Sequence, residues 1–588
     1  MRRTKIVATL GPTSSDVEVI KDLIRAGLDA ARVNFSHGTY ESHGKIIQTL
    51  KQAREELNVP IPLILDTKGP EIRIKKFKGD KIFLEQGKKF TLTSEDVEGD
   101  ENIVSVTYKD LPKDLKLGSL VLLDDGLIEL KVTNLTDTEV ECVAVNSGFL
   151  SSGKGVNIPD VYVNLPALTE KDIEDIHYGI EQEFDYIAAS FIRSASDVMK
   201  IREVLEKNGG QQILIIAKIE NRDGVNNIDA ILEVSDGIMV ARGDLGVEIP
   251  LEEVPLVQKE IIRKANEKGK PVITATQMLE SMVNNPRPTR AEANDVANAI
   301  FDGSDSIMLS GETAKGSHPV ESVKMMARIA QRTEANIDYG KTLKQGRENS
   351  LNNVTNAISY AACTTALDLN ASAVVAVTDS GFAARMVSRF RPTCPIVAVA
   401  STQKVWRQLN LSWGVVPTIA EELHSEDIFT LAINKSIECG VTKNGETAVI
   451  VTGIPVGAVG TTNTLKVQIV GDVIVKGTGY GNKVVSGNAN VVKVMDVAEK
   501  YFTPGNILVT TNTSDLMMPF IKKASAIVMG SWESIDPTHA ITVASALDIP
   551  LIVCNQKVID LISDGLPVTI DAENGFVYYG LKEVTRRV

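Results

Sequence analysis

Residues 186–221 read YIAASFIRSASDVMKIREVLEKNGGQQILIIAKIEN and contain one strand–helix–strand unit. The apolar runs Tyr186–Ile192 and Ile213–Asn221 are typical of buried parallel strands, and Asp197–Lys207 between them has helical periodicity. The same alternation covers the first third of the chain and the stretch from about 165 to 340. Eight such units predict an α/β fold with a closed (β/α)8 TIM barrel.

The other predicted barrel strands share this apolar character. They are Lys5–Gly11, Ala31–Ser36, Leu63–Thr67, Ile238–Asp244, Val272–Gln277 and Ser306–Glu312. Helical periodicity separates the strands in segments that include Asp16–Ala26, Tyr40–Leu57, Glu170–Glu183 and Val254–Lys268. The barrel is therefore predicted to span residues 1–69 and 168–345.

Residues 70–167 interrupt the alternation of strands and helices after the third strand. Short alternating strands with Gly and Lys turns, such as Leu120–Leu123 and Glu139–Ala144, predict an inserted β-barrel domain. Because βα loops lie at the C-terminal mouth of a barrel, this domain is placed as a lid. A new α/β pattern over 346–474, and a Gly-rich and then α/β segment over 475–588, predict two further domains.

The composition is that of an ordinary globular protein, with 43% hydrophobic and 23% charged residues in 588. At about 150 residues per domain, this length suggests roughly four domains. A net charge of −14 argues against a general nucleic-acid binder, which normally presents a basic face. Five dispersed cysteines without a CxxC pair, no signal peptide and no apolar run of about 18 residues predict a cytoplasmic protein without a membrane partner.

Polar and charged residues stand at the C-terminal ends of six predicted strands. These ends read RVNFSH (32–37), DTK (66–68), KIEN (218–221), RGD (242–244), TATQ (274–277) and SGET (310–313). The C-terminal ends of barrel strands meet on one rim, where barrel enzymes place their sites. Six such polar strand ends together favour one shared active site over six separate solvated strand ends.

The residue types at this rim indicate a metal and a phosphoryl group or an enolate. Glu220 and Asp244 are hard oxygen donors without nearby His or Cys, which suits Mg²⁺ or Mn²⁺ rather than zinc. Lys218 points to the same side of its strand as Glu220. With Arg32 it forms a cationic cluster suited to a transferring phosphoryl group or an enolate oxygen. A plain ion pair between Lys218 and Glu220 is the alternative.

A second set of oxygen donors carries only one formal charge. Asn34, Ser36, Asp66 and Thr67 are too weakly charged for another divalent ion but suit a monovalent cation. An ordinary hydrogen-bond network is the alternative for these four residues.

One apparent nucleotide motif is rejected. Residues 148–154, GFLSSGK, have P-loop spacing, but Gly155 replaces the Ser or Thr and VNIP (156–159) does not open a helix. We interpret the segment as a turn at the base of the lid, and Lys154 stays a candidate for a phosphate contact.

Seven segments near the strand ends resemble pyruvate kinase. They are RVNFSHG (32–38), LDTKGPEIR (65–73), AKIEN (217–221), IMVARGDLG (238–246), ATQMLESM (275–282), PRPTRAE (286–292) and IMLSGETAKG (307–316). The similarity runs from residue 1 to about 475 in family order. It implies transfer of the phosphoryl group of phosphoenolpyruvate to ADP in glycolysis, with Mg²⁺ (or Mn²⁺) and K⁺ as cofactors, in a homotetramer.

The resemblance also implies which residues handle the substrate. Arg32 and Lys218 contact the phosphoryl group, and Lys218 stabilises its transition state. The substrate carboxylate meets the Gly243 backbone and Thr276, next to Asp244. The proton for the enolate comes through Thr276 or through a water relay near Ser310 and Glu312, and both routes stay open.

By the same resemblance, the ions and the nucleotide have their own residues. Mg²⁺ is held by Glu220 and Asp244, and K⁺ by Asn34, Ser36, Asp66 and Thr67. The nucleotide lies toward Asn34, His37, Arg73 and Lys154. Ser194 departs from the pattern, because many animal members have a nucleotide-contacting lysine there.

Residues 350–472 resemble the family's effector domain. TDSGFAA (378–384) follows a strand and opens a helix, so its amides are a candidate phosphate cradle, with a plain strand-to-helix turn as the alternative. The candidate residues are Thr378, Ser380, Gly381 and Ala383. The later loop TGIPVGAVGTTN (452–463) lacks the Trp and Arg of members activated by fructose 1,6-bisphosphate. It favours a phosphorylated effector that is a sugar monophosphate or a nucleoside monophosphate.

Residues from about 475 onward resemble the extra domain of some bacterial pyruvate kinases, which is similar to the phosphohistidine domain of phosphoenolpyruvate-using enzymes. PTHA (537–540) puts His539 where that family has its phosphorylated histidine. The usual GGLTS approach is replaced by SWESIDPT (531–538). Because the glycines that admit a phosphate are missing, we expect a structural role.

Two rival functions belong to other classes. A Mg²⁺-dependent barrel aldolase or lyase acting on pyruvate enolate would share Glu220 and Asp244, but it needs neither a nucleotide-facing lid nor the K⁺ set. A barrel that has become a metabolite sensor would have lost catalytic groups, and every one is present here.

Overall fold

The structure, a computed structural model, describes all residues except 160, 162, 349–352, 421–422, 424–427, 455–461, 472, 494–500, 532–535 and 582–588. Contacts divide the chain into two compact units. The first comprises Met1–Thr364, Ala376–Ser425 and Val451–Thr464, and the second comprises Thr365–Val375, Glu426–Ile450 and Leu465–Val588.

The first three barrel strands alternate with two helices. In chain order these elements are β1 (Lys5–Thr9), α1 (Val17–Ala26), β2 (Ala30–Asn34), α2 (Tyr40–Leu57) and β3 (Leu63–Asp66). Asp16 caps α1 by accepting a hydrogen bond from the Glu18 amide, and Gly27 ends the helix with a φ of 119°. The predicted helix over 16–26 is therefore confirmed, with its first residue acting as the cap.

The insertion after β3 is all-β apart from one short helix. Its elements are β4 (Lys81–Leu84), β5 (Lys89–Thr93), β6 (Ile103–Ser105), α3 (Leu111–Asp114), β7 (Leu120–Leu123), β8 (Ile128–Leu135), β9 (Glu139–Ala144), β10 (Gly148–Ser151) and β11 (Val156–Asn157). Six strands form a sheet in the order β11-β7-β8-β9-β5-β6, while β4 pairs with β10. The segment with P-loop spacing begins as strand β10 and opens no helix, as predicted.

Five more strands complete the barrel. The elements are α4 (Glu170–Glu181), β12 (Tyr186–Ala189), α5 (Ala195–Lys207), β13 (Leu214–Ile219), α6 (Arg222–Asn226), α7 (Ile228–Val234), β14 (Gly237–Ala241), α8 (Arg242–Glu248), α9 (Val254–Glu267), β15 (Val272–Ala275), α10 (Arg290–Phe301), β16 (Ser306–Leu309), α11 (Gly311–Ala314) and α12 (Pro319–Glu334). The eight strands close in the order β1-β2-β3-β12-β13-β14-β15-β16, which confirms the predicted barrel. Their residues are almost all buried, as their apolar sequences require.

Each of the eight barrel strands ends one to three residues earlier than predicted, and at two of them the early end changes the position of a rim carboxylate. β14 stops at Ala241 and β16 at Leu309, and each continues directly into a short helix, α8 or α11. Asp244 and Glu312 therefore lie in first helical turns rather than on strands. A carboxylate is favourable there because the first amides of a helix point toward it.

The next region is α/β. Its elements are α13 (Tyr339–Glu348), α14 (Val354–Asp368), β17 (Ala373–Thr378), α15 (Phe382–Ser388), β18 (Ile396–Ala400), α16 (Gln403–Leu409), β19 (Val415–Ile419), α17 (Ile428–Glu438), β20 (Thr447–Thr452) and β21 (Thr464–Ile469). The strands belong to a five-stranded sheet with β19 at one edge, paired in parallel to β18. The sequence pattern misses β19 because it contains Pro417, which an edge strand tolerates.

The last region contains an eight-stranded mixed sheet. Its elements are β22 (Val473–Lys476), β23 (Thr478–Tyr480), β24 (Val484–Val491), β25 (Ile507–Thr510), α18 (Met518–Ile521), β26 (Ala526–Gly530), α19 (Thr538–Ala546), β27 (Leu551–Cys554), α20 (Val558–Leu561), β28 (Pro567–Asp571) and β29 (Phe576–Tyr579). β24, β25, β26 and β27 run parallel. None of the five cysteines, all of which the structure describes, forms a disulfide bond. Among the described residues, no helix is both long enough and apolar enough to cross a bilayer.

Candidate active site

Four ionisable side chains interlock at the C-terminal rim of the barrel. Asp66, the last residue of β3, accepts hydrogen bonds from Arg32 Nε at 2.6 Å and from Lys218 Nζ at 3.1 Å. Lys218 Nζ also lies 2.9 Å from Glu220 Oε1. None of the four residues is more than 8% exposed. Two cations balance two carboxylates, and this pairing permits their burial.

The buried charges shift one another's pKa values. Burial raises the pKa of Glu220 to about 7; Lys218 opposes this shift and the Asp244 charge adds to it. Burial also favours a neutral Lys218, but the carboxylates of Asp66 and Glu220 outweigh it and raise the lysine pKa. Arg32 and Lys218 likewise overcome the burial of Asp66 and lower its pKa. Lys218 is therefore held as a cation.

The residues predicted to hold a divalent metal suit that ion. Glu220 Oε1 is buried and accepts no hydrogen bond from the described residues, although Lys218 Nζ is nearby. Asp244 is close enough to raise the pKa of Glu220, so the two carboxylates repel. A divalent cation relieves that repulsion. Among the described residues no group of three His, Cys, Asp or Glu side chains is arranged to hold a metal, so other ligands would come from substrate or water.

Ser190, which sequence reasoning missed, orients the lysine. Its Oγ donates to the Thr67 carbonyl at 2.6 Å and accepts from Lys218 Nζ at 2.7 Å. Its amide donates to Thr67 Oγ1 at 3.1 Å. Ser190 directly follows the apolar run of β12, so the strand-end pattern that identified the other rim residues also applies to it.

Two further contacts at the rim were not predicted. The Phe191 amide donates to Glu220 Oε2 at 2.6 Å, and Arg32 Nη1 donates to Thr9 Oγ1 at 2.9 Å. Thr9 ends β1 and carries the strand-end signal. The Phe191 contact comes from the backbone, so it cannot be predicted from the type of residue.

Thr276 occupies an unusual backbone conformation beside Gly243. Thr276 and Gln277 have φ values of 68° and 53°, in a region that a β-branched residue rarely adopts. The Gly243 amide donates to Thr276 Oγ1 at 2.7 Å, and that hydroxyl donates to the Ala275 carbonyl at 2.6 Å. Such strain is typical of functional sites.

The four predicted K⁺ ligands occupy neighbouring strand ends. Asn34 is in register with Asp66 across β2 and β3, and Thr67 follows directly. Asn34 Oδ1 accepts from the Ser36 amide at 3.1 Å. Asp66 already accepts from Arg32 and Lys218, so its charge is shared between these cations and any ion bound there.

A cleft of about 560 Å³ lies between the rim and the inserted domain. Three of the four predicted nucleotide residues line it, namely His37, Arg73 and Lys154, together with Asp244. Asn34 is not among the described residues that line it. Sequence reasoning assigned no nucleotide role to several other polar residues of the lining, which include Arg193, Asn221, Arg222, Asp223 and Asn226.

The two basic residues contributed by the inserted domain are held by carboxylates. Arg73 pairs with Glu71 at 2.6 Å and donates to the Gly153 carbonyl at 2.7 Å. Lys154 pairs with Asp124 at 2.7 Å. Ser194, the departure noted above, caps α5 by accepting a hydrogen bond from the Asp197 amide.

Ser310 and Glu312, the predicted relay residues, lie together at the end of β16. Glu312 is buried and accepts from the Ser310 amide at 2.7 Å and the Leu279 amide at 3.0 Å. Burial raises the pKa of Glu312. Ser310 Oγ is buried and has no hydrogen-bond partner among the described residues. Of the Ser310 hydroxyl and the Glu312 carboxylate, the hydroxyl is therefore the more available for a new hydrogen bond.

Comparison with known proteins places the chain in a family. The family models "Pyruvate kinase, barrel domain", "Pyruvate kinase, alpha/beta domain" and "PEP-utilising enzyme, mobile domain" match residues 1–323, 356–468 and 502–575. The chain is 48% identical to a pyruvate kinase of Sporosarcina psychrophila over 583 residues, 99% of both chains. The chain belongs to the pyruvate kinase family. It is therefore a glycolytic phosphotransferase that converts phosphoenolpyruvate and ADP to pyruvate and ATP.

Other members of the pyruvate kinase family differ in length. A pyruvate kinase of Clostridium acetobutylicum is 51% identical over 472 residues, which are 80% of this chain and 100% of that protein. A crystal structure of a pyruvate kinase from Cryptosporidium parvum aligns with a TM-score of 0.77 and 38% identity, covering 80% of this chain and 96% of that chain. The family thus includes pyruvate kinases that match only four-fifths of this chain.

The predicted effector residues surround the turn between β17 and α15. Thr378 ends the strand, and Gly381 caps the helix with a φ of 78°. The Ser380 carbonyl accepts from Arg385 Nη2 at 3.1 Å. Ala383, in the first turn of α15, is buried. Most of the later loop, residues 455–461, lies outside the described residues.

His539 lies at the start of α19 with both ring nitrogens near hydrogen-bond partners. Nδ1 is 3.0 Å from Thr513 Oγ1, and Nε2 is 3.3 Å from Asp515 Oδ1. A carboxylate beside Nε2 opposes a phosphate there, because the two charges repel. Residues 532–535 of the replaced GGLTS segment lie outside the described residues.

Proposed function

We propose that the interlocked cluster at the rim transfers the phosphoryl group directly from phosphoenolpyruvate to ADP. The observation that carries this assignment is Lys218, which Asp66, Ser190 and Glu220 hold as a buried cation. A preorganised charge at the position where negative charge moves is the main source of catalysis in phosphoryl transfer. Arg32, fixed by Asp66 and Thr9, supplies the second cation.

The remaining groups orient the substrates. The Gly243 amide and Thr276 face the substrate carboxylate, while His37, Arg73 and Lys154 orient the nucleotide in the cleft. Mg²⁺ or Mn²⁺ bound by Glu220 and Asp244 would supply charge neutralisation at the phosphoryl and enolate oxygens. K⁺ would bind at Asn34, Ser36, Asp66 and Thr67. The proton for the enolate passes through Thr276 or through water near Ser310 and Glu312.

Direct transfer can be tested with phosphoenolpyruvate labelled with ³²P on its phosphoryl group. In rapid-quench experiments, the label should move to the γ-phosphate of ATP without labelling the protein. Labelled protein that forms and decays at the rate of turnover would contradict direct transfer.

The broader organisation is also part of the proposal. The domains are 1–69 and 168–345 for the barrel, 70–167 for the lid, 346–474 for the effector domain and 475–588 for the extra domain. Regulation would act through a phosphorylated effector at Thr378, Ser380, Gly381 and Ala383, in a homotetramer in the cytoplasm. Gly381 supports the cradle because its φ of 78° gives the sharp strand-to-helix turn that a cradle needs, in a conformation that favours glycine.

The K⁺ dependence is expected to rest on Glu71. By resemblance, Glu71 marks the K⁺-dependent branch of the family, whereas the independent branch has lysine there. Activity should therefore rise strongly with K⁺. Glu71→Lys should flatten that response, because the lysine itself supplies the positive charge that K⁺ otherwise provides. Initial rates across a K⁺ titration measure this. Glu71→Gln is the control, because it breaks the Glu71–Arg73 pair without adding a cation and should keep the response. A wild-type rate indifferent to K⁺ would refute the assignment.

The extra domain is expected to be dispensable for catalysis. Deleting residues from 476 onward should leave kcat largely unchanged, because all the rim residues precede residue 320. The deletion should lower thermal stability, since Phe576 packs against Gly445 within the second unit.

His539→Ala should leave turnover nearly unchanged. Steady-state kinetics and thermal melts measure the effects of both variants. Phosphorylated His539 in the wild-type chain after incubation with phosphoenolpyruvate, or loss of turnover in His539→Ala, would overturn this interpretation.

A further inference from the structure

We infer that Arg242 is a positioning residue that holds the strained Thr276 segment in place for the substrate carboxylate. The inference deepens the proposed function and rests on its assignment of Thr276. It starts from the backbone of Thr276 and Gln277, two consecutive residues in the left-handed region at the end of β15. Neither is glycine, so the surrounding structure must maintain the conformation.

Arg242 makes the contact that does so. Its Nη2 donates to the Thr276 carbonyl at 2.8 Å and lies 2.8 Å from Met278 Sδ. Its Nη1 donates to Asp295 Oδ1 at 2.7 Å and is 3.5 Å from Gln258 Oε1. One guanidinium thus joins the end of β15 to helices α9 and α10. Lysine cannot replace it, because an ammonium group lacks the planar fork that spans these acceptors.

The residue after Arg242 holds the Thr276 hydroxyl. Arg242 precedes Gly243, whose amide donates to Thr276 Oγ1 at 2.7 Å. The start of α8 and the end of β15 are therefore linked twice, through a side chain and through an adjacent amide. A shift of the Thr276 carbonyl would move both the hydroxyl and the Gly243 amide, the two groups assigned to the substrate carboxylate.

A direct role in substrate binding fits the geometry less well. The Arg242 side chain is only 10% exposed. Both terminal nitrogens are engaged inside the protein, and Nε is buried without a partner among the described residues. Arg242 therefore acts through Thr276 rather than on the substrate.

The test compares Arg242→Lys with Arg391→Lys, a matched buried arginine. Arg391 pairs with Asp305 at 3.0 Å and donates to Asn266 and the Gly303 carbonyl. Both variants should lose thermal stability. Only Arg242→Lys should also lower kcat/KM for phosphoenolpyruvate, by about 100-fold, the effect of misplacing a reacting group by roughly 1 Å. The KM for ADP should not change. Unchanged kinetics for phosphoenolpyruvate in folded Arg242→Lys would overturn the inference.

A second readout separates this inference from the proposed roles in phosphoryl transfer. Metal-dependent exchange of the pyruvate methyl protons needs a seated carboxylate but no phosphoryl transfer. Arg242→Lys should lose this exchange, whereas Lys218→Met should keep it. Retained exchange in Arg242→Lys would count against the positioning role, and lost exchange in Lys218→Met would count only against the assignment of Lys218.

Asp295→Asn decides the matter if Arg242→Lys does not fold. It keeps a hydrogen-bond acceptor for Arg242 but removes the charge that anchors it, and Asp295 is already 37% exposed. A raised KM for phosphoenolpyruvate with an unchanged melting temperature would support the positioning role. A KM equal to that of the wild type would overturn it.

Discussion

Lys218→Met is expected to lower the rate of pyruvate formation by about 100- to 1000-fold, the cost of removing one preorganised transition-state contact. The lysine is the only proposed catalytic cation that contacts both Asp66 and Glu220. Methionine keeps the length of the side chain and removes the charge. The variant should still catalyse metal-dependent exchange of the pyruvate methyl protons, because that step moves no phosphoryl group. Coupled assays and proton NMR measure the two activities.

Lys5→Met provides the matched control for that variant. Lys5 is also a buried barrel lysine, and its Nζ donates to the Val415 carbonyl at 2.8 Å. It begins β1, whereas the active-site rim is formed by the opposite ends of the strands. Its loss should reduce stability without changing turnover of the folded protein. Equal loss of exchange and transfer in Lys218→Met would show that the role of Lys218 is misassigned.

Glu220→Gln is expected to weaken binding of Mn²⁺ by at least about 100-fold, since loss of an outer contact to a metal ligand already costs 10- to 100-fold. Turnover at moderate Mg²⁺ should fall with it. Glutamine retains an oxygen for the Phe191 amide but removes the charge that offsets Lys218. Electron paramagnetic resonance of Mn²⁺ measures binding without relying on activity.

Glu334→Gln is the control for the metal site. Glu334 is a buried carboxylate that accepts from the Arg3 and Thr4 amides, before the start of β1. Its substitution should leave Mn²⁺ binding unchanged. If Glu220→Gln binds Mn²⁺ as tightly as the wild type, Glu220 is not a metal ligand.

The barrel was predictable because its strands are buried on both faces and therefore carry continuous apolar runs. Most of the rim was predictable for the same reason, since Lys218 and Asp66 interrupt or end such runs. Ser190 and Thr9 carry that signal too, but small hydroxyl residues at strand ends do not suggest chemistry by themselves. The contact of Arg242 with Thr276 joins residues 34 positions apart through a side chain, so only the folded structure reveals it.

Local turns limited the prediction elsewhere. The pattern extended β14 to Asp244 and β16 to Glu312 because the residues after the apolar runs carry no strong breaker other than glycine. The structure turns there into short helices, which places Asp244 at a helix start. The lining of the cleft could not be predicted from the sequence either. It combines side chains from the insertion, such as Lys154, with residues that follow barrel strands, such as Asn221.

Stoichiometry tests the central claim most directly. The purified chain would be given phosphoenolpyruvate, ADP, Mg²⁺ and K⁺, with pyruvate and ATP measured in the same samples. We expect equal amounts of both products, no pyruvate without ADP, and a strong fall in rate when K⁺ is withdrawn. Pyruvate formed without ADP, or without matching ATP, would contradict direct phosphoryl transfer at this rim.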